Sequence, residues 1–156
     1  MQSTVLVLAA IAGVALSACG SGWTQSGNKC FKLISAPNIW SALNMACTYE
    51  GGRLASITSS AENEAVKSEV TVPYRILIFP SGIAAGREIY IGGLSYQRGP
   101  WTWADNTPFG AYRNWAAGSE PAPTPARPCI KMNPSGQWFN NCCRTPPAAG
   151  VCSKSA

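Results

Sequence analysis

Seven cysteines, at positions 19, 30, 47, 129, 142, 143 and 152, constrain this 156-residue chain more than any other feature. All of them lie beyond an apolar run from Val5 to Leu16, which ends in the small-residue cleavage pattern Leu16-Ser17-Ala18. That layout predicts a secretory signal peptide over residues 1–18, and the run is too short to span a bilayer. In an exported chain such cysteines read as a disulfide framework. Zinc ligation is the weaker reading, because there is no C-x-x-C pair and no histidine. A second reading of the leader stays open. Leu16-Ser17-Ala18-Cys19 also has the pattern of a bacterial lipobox, which would place a lipid on Cys19.

The remaining length, 19–156, suits one domain. The absence of histidine removes the usual general base for Ser or Cys nucleophiles and the commonest metal ligand. The acidic set is Glu50, Glu62, Glu64, Glu69, Glu88, Asp105 and Glu120, and three of these fall in one helical segment where a solvated face is expected. Binding rather than catalysis is therefore the expected class, with no cofactor. The net charge of +5 comes from scattered basic residues, without the Lys/Arg runs of a nucleic-acid groove. It fits solubility, or a mild attraction to anionic glycans or mineral surfaces. No other segment is long and apolar enough for a membrane span. N-glycosylation is not expected, since Asn133 is followed by Pro134.

Local patterns predict an α+β chain with two early helices, short late antiparallel strands and long loops. Two segments around Ser26-Gly27-Asn28 read as a hairpin that a Cys19–Cys30 bridge would clamp. Trp40, Leu43 and Cys47 form one apolar helix face, begun near Pro37-Asn38 and ended by Gly51-Gly52. Leu54-Ala55-Ser56-Ile57 alternates as a strand. Ser59 and Glu62 make a capping box for a second helix to about Val70, stopped by Pro73. Val72 to Gly86 reads as a variable connection. Ile89 to Leu94 is a buried strand, and Trp101-Thr102-Trp103 alternates before a turn at Asp105-Asn106. Pro108 to Pro128, rich in Pro, Gly and Ala, is a long ordered loop of the kind that carries function. Cys129 to Met132 and Gly150 to Cys152 are short strands, separated by a turn region at Gly136-Gln137-Trp138.

In this order, Gly22-Trp23, Cys30-Phe31, Trp40, Cys47, Gly51-Gly52, Leu54 to Ile57 and Glu62-Asn63 resemble the first half of a C-type lectin-like domain. Tyr90-Ile91-Gly92-Gly93, Trp101-Thr102-Trp103, Asn114-Trp115, Glu120-Pro121, Cys129, Gly136-x-Trp138, Cys143 and Cys152 resemble the second. The resemblance covers the whole mature chain. It implies the pairs Cys47–Cys152, Cys129–Cys143 and, as in the family's long form, Cys19–Cys30, worth about 2–4 kcal/mol each. Cys142 is then left over. The family spacing from Trp138 favours Cys143 as the partner of Cys129, and Cys142 in that role stays open. The odd thiol is either buried and inert or the bridge of a disulfide-linked dimer.

Relatives that bind sugar through calcium gather a Glu-Pro-Asn or Gln-Pro-Asp triplet, an acid before the next cysteine and an Asn-Asp pair after the late Trp. Ca²⁺ needs such a set because it takes about six to eight oxygens. Here the triplet reads Glu120-Pro121-Ala122, Arg127-Pro128 precedes Cys129, and Phe139-Asn140 follows Trp138. The usual calcium site is therefore expected to be lost. The resemblance implies instead a surface around the long loop formed by Glu120, Pro121, Arg113, Asn140 and Asn141, with Tyr112, Arg127, Lys131, Gln137 and Phe139 beside them. Trp101, Trp103, Trp115 and Trp138 are expected to be core residues that anchor the loop. Pro121 is expected in the cis form on the family pattern, and Glu120 either touches ligand or pairs with Arg113 or Arg127. The implied function is a secreted, extracellular carbohydrate-binding protein without calcium at the usual site. The alternative is a member of the same fold that binds protein, mineral or ice.

Overall fold

The computed structural model describes residues 18–71 and 87–156. The expected leader before Ala18, and the expected variable connection from Val72 to Gly86 with its stop at Pro73, lie outside these residues. The elements run β1 (Thr24–Ser26), β2 (Lys29–Asn38), α1 (Trp40–Tyr49), β3 (Arg53–Leu54), α2 (Ser60–Thr71), β4 (Ile89–Leu94), β5 (Thr102–Trp103), β6 (Cys129–Met132), β7 (Trp138–Asn141) and β8 (Ala148–Ser155). The strands form one sheet in the order β1-β2-β8-β4-β6-β7, with β3 added to β8 and β5 to β4. The α+β class holds. The sheet is mixed rather than wholly antiparallel, because β4 runs parallel to β8 through Ile89↔Ala149 and Tyr90↔Gly150.

The last strand is the keel. β8 pairs with β2 over Lys29↔Ser155 to Ile34↔Gly150, and with β3 through Leu54↔Cys152. Alternate side chains of a strand point to opposite faces, and two apolar clusters result. Phe31, Ile57, Val66, Ile91, Trp103 and Trp138 belong to one. Leu43, Cys47, Leu54, Tyr90 and Cys152 belong to the other, under α1.

Both helix ends follow local chemistry. Asn38 Oδ1 accepts from the Ile39 amide at 2.9 Å, and the first α1 amide, Trp40 N–H, donates to Cys143 O at 2.8 Å. Gly51, at φ +83°, lets the chain turn back at the far end, where Gly52 N–H reaches Cys47 O at 2.8 Å. In the cap of α2, Ser59 Oγ accepts from Glu62 N–H at 3.2 Å, as expected. The Glu62 carboxylate does not return to Ser59; it binds the Thr58 amide at 2.6 Å and Lys29 Nζ at 3.1 Å.

Two local expectations change. Leu54 to Ile57 is buried throughout, but only Arg53 and Leu54 are strand. Beyond them the backbone bonds sideways, with Ala55 N–H to Val151 O and Gly92 N–H to Ala55 O, both at 2.8 Å. Trp138, assigned to a turn region, instead begins β7, which pairs with β6 from Met132↔Trp138 to Cys129↔Asn141.

The three disulfides are Cys19–Cys30, Cys47–Cys152 and Cys129–Cys143, with Cα separations of 5.5, 5.3 and 5.2 Å. All lie within the ordinary range. Cys142 is the free cysteine. Close approach of β4 to the 54–55 backbone leaves no room at Gly92, where a Cβ would overlap the Leu54 carbonyl. Gly92→Ala is expected to destabilise the domain by about 2–3 kcal/mol, read as a lower midpoint in denaturant unfolding with the disulfides intact.

Candidate functional site

Trp138 organises the long loop. Its ring meets Trp103, Trp115, Phe109 and Tyr112 edge-on, with centroids 5.5 to 6.4 Å apart, a favoured geometry for aromatic pairs. Its indole N–H donates to Asn63 Oδ1 at 2.8 Å, and its main chain bridges to Asn114 and Ala116. Asn63, buried on α2, donates in turn to Gly136 O at 3.0 Å, which also accepts from Asn114 Nδ2 at 2.7 Å. The four tryptophans expected in the core, Trp101, Trp103, Trp115 and Trp138, are all buried. Trp101, Trp103 and Trp138 form a floor onto which Trp115 anchors residues 108–128, which run without regular strands.

On that floor Arg113 clamps the loop. Its Nε donates to Glu120 Oε2 at 2.6 Å, and its Nη1 to the carbonyls of Gly110, Tyr112 and Phe109 at 2.6, 3.0 and 3.2 Å. The guanidinium also lies 4.4 Å from the Phe109 ring centre. Glu120 is thus an ion-pair partner of Arg113. Pro121 is half-buried, and its carbonyl accepts from Trp101 Nε1 at 3.0 Å. The Glu120–Pro121 bond is not cis, contrary to expectation. The cis peptide among the described residues is Thr145–Pro146.

The remaining expected surface residues divide. Tyr112 is half-buried against Trp138, while Gln137 and Arg127 are exposed. Phe139, Asn140 and Asn141 are half-buried on β7, where Asn140 faces Ile130 and Asn141 faces Cys129 across the ladder. Among the described residues, no hydrogen bond joins Asn140 or Asn141 to the Arg113–Glu120 pair.

Lys131 does not belong to the surface. It is fully buried, with Nζ 2.9 Å from Pro146 O, 4.7 Å from the Tyr90 ring centre and 3.9 Å from Glu88. Lys131 stands opposite Tyr90 of β4, and the 142–146 segment, which accepts hydrogen bonds from both side chains, covers the face they share. The long stem packs with the core while the ammonium finds a carbonyl and a ring face.

Two polar features were not anticipated from the sequence. One is the Lys29–Glu62 pair with Ser56 and Asp105, which ties β2, α2 and the 105–107 turn together. The other is the exposed turn Tyr96 to Gly99. Its signal was present as a short polar stretch between two strand patterns.

Burial lowers the Lys131 pKa below its usual 10.5, against opposing effects of Glu88 and Cys142. Burial first, then the nearby negative charges of Cys142 and Glu88, push Tyr90 up to about 12. Between its lowered folded pKa and 10.5, Lys131 holds its proton better in the unfolded chain, so stability rises with pH in that window. Tyr90 acts oppositely: its contribution is complete below 10.0 and is lost as pH climbs towards about 12. Lys131→Met is expected to be neutral or stabilising by about 1 kcal/mol at neutral pH. It is also expected to abolish the alkaline rise. Denaturant unfolding across pH, in a Cys142→Ser background that blocks thiol exchange, reads both effects.

Comparison with known proteins agrees with this architecture. The profile of the Lectin C-type domain family matches residues 36–154. The galactose-specific lectin nattectin of Thalassophryne nattereri is 30% identical over 142 residues, covering 90% of this chain and 83% of its own length. The type-2 ice-structuring protein of Brachyopsis segaliensis is 31% identical over 143 residues, covering 88% of this chain and 73% of its own. The crystal structure of a calcium-independent type II antifreeze protein superposes with a TM-score of 0.71 at 30% identity, over 88% of this chain and 95% of that one. The family is a non-enzymatic one. With the two helices and mixed sheet of its described residues, its three disulfides and a tryptophan-floored long loop, the chain belongs to the C-type lectin domain family.

Proposed function

We propose that this is an extracellular carbohydrate-binding protein whose recognition face is the 108–128 loop, and that it binds without Ca²⁺ at Glu120-Pro121-Ala122. The Arg113 clamp carries this reading. A guanidinium already satisfies the Glu120 carboxylate at 2.6 Å, and the same side chain holds three loop carbonyls. A cation entering there would have to displace Arg113 and then find oxygens that Ala122 does not offer. The galactose-specific lectin among the relatives supports a sugar ligand, and the calcium-independent antifreeze structure supports dispensing with the metal. The three disulfides support an oxidising, extracellular location after removal of residues 1–18.

A second reading, a protein, mineral or ice ligand, is favoured by the exposed run of small residues Ala116, Ala117, Gly118 and Ser119 on the same loop. The ice-structuring relative points the same way. A disulfide-linked dimer through Cys142 is a further proposed form. That thiol is partly exposed, and hydrogen bonds from Arg144 and then Thr145 hold its pKa below the usual value, which favours the reactive thiolate. Non-reducing electrophoresis of wild type and Cys142→Ser reads it directly.

A glycan array run with and without EDTA is expected to give sugar signals that EDTA leaves unchanged. Calorimetric titration with Ca²⁺ is expected to show no saturable heat, and a micromolar site in the loop would refute the calcium-free reading. Silence on every glycan, with thermal hysteresis of ice growth in the same preparation, would transfer the function to the second reading. Glu120→Gln is expected to cost at most about 1 kcal/mol of stability, as for a half-exposed ion pair, without creating EDTA sensitivity.

A further inference from the structure

The β4–β5 connection presents a group of side chains that the Arg113 clamp leaves unused. Tyr96 is 76% exposed, the second most exposed large apolar side chain after Tyr49 among the described residues. Its carbonyl accepts from Gly99 N–H at 2.8 Å and closes a four-residue turn. The two central residues, Gln97 and Arg98, have φ of +49° and +62°. Such a turn normally takes Asn-Gly, because a left-handed conformation costs an ordinary L residue about 1 kcal/mol or more. Strain at an exposed tip does nothing for the core, so the reason for Gln and Arg there lies in what their side chains meet.

The tip is also held firmly. Buried Ser95 donates its amide to Pro128 O at 2.8 Å and its hydroxyl to Gly99 O at 2.6 Å. The Ser95–Pro128 bond continues the Leu94↔Cys129 register, so Tyr96, which follows Ser95, and Arg127, which precedes Pro128, leave the same end of this ladder. No carboxylate among the described residues pairs with Arg98 or Arg127, and all seven acidic side chains of the chain belong to described residues. Two exposed guanidiniums without a carboxylate partner therefore share this end of the ladder with an exposed phenol and an amide.

We infer that Tyr96, Gln97, Arg98 and Arg127 form a contact edge for an acidic saccharide. The phenol ring covers an apolar sugar face, and the guanidiniums take a carboxylate or sulfate through charge-assisted, fork-shaped hydrogen bonds. The inference rests on the carbohydrate reading above and adds the ligand class and a second edge to the site.

The test uses the full mature chain in calorimetric titrations with three probes: a sulfated heparin octasaccharide, sialyllactose and neutral lactose. At least one acidic probe is expected to bind about tenfold or more tighter than lactose, with affinity falling as salt rises. Which acidic probe wins tells sulfate from carboxylate. Tyr96→Ala and Arg127→Gln are each expected to weaken that binding about tenfold. Arg98→Gly is the decisive variant. It removes the guanidinium and relieves a positive φ, so affinity is expected to fall while Tm holds or rises, which a structural role would not produce. Equal affinity for lactose and the acidic probes, or wild-type affinity in all three variants, would overturn this edge and leave the carbohydrate reading standing. Absence of binding to every probe and to the glycan array would overturn both.

Discussion

The packing of one indole, Trp138, underlies the functional half of the molecule. Its ring is the common neighbour of Trp103, Trp115, Phe109 and Tyr112. Its N–H reaches across to Asn63 on α2, and its backbone bridges to Asn114 and Ala116. A stretch with almost no ladder hydrogen bonds of its own would otherwise carry a large conformational entropy cost on ordering. Here aromatic burial and a small set of buried amides offset that cost. The loop is therefore fixed by the sheet beneath it, and Glu120 and Arg113 meet at a defined place above that floor.

The sheet in turn depends on β8. Three strands pair with it, and Cys152 ties it to α1 across a sequence separation of 105 residues. Cross-links spanning such long loops restrict the unfolded chain most strongly, which suits a small domain with much irregular structure. Cys129–Cys143 closes β6 onto the segment after β7, and the Cys143 carbonyl supplies the first α1 amide with its acceptor. Helix start, loop closure and disulfide thus converge on the same few residues.

Much of the fold was legible because its signals are local. The Ser26-Gly27-Asn28 turn, the Trp40-Leu43-Cys47 face, the Ser59 cap, β4 and the Trp101-Thr102-Trp103 alternation all appear where periodicity and turn chemistry place them. β7 was harder to see, since Trp138 follows a glycine turn and its strand character comes from pairing with β6 rather than from its own sequence. The brevity of β3 is similar. Residues 55–57 look like a strand, yet the Ala55 backbone bonds Val151 on one side and Gly92 on the other, and Ser56 O accepts from Lys29 Nζ.

Beyond the disulfide pairs that the family resemblance implied, the sequence by itself determined the supply of cysteines and tryptophans, the acid and proline at 120–121 and the missing amide at Ala122. These are matters of residue identity, and no packing can supply an oxygen that a side chain lacks. Tertiary structure alone decided which partner each group found. It buried Lys131, because the 142–146 segment covers the sheet face that Lys131 shares with Tyr90. It gave Glu120 to Arg113, and it set Tyr96 and Arg98 on a strained tip at the end of the ladder from which Arg127 also departs. Those outcomes depend on distances between residues far apart in the chain, which spacing along a sequence does not encode.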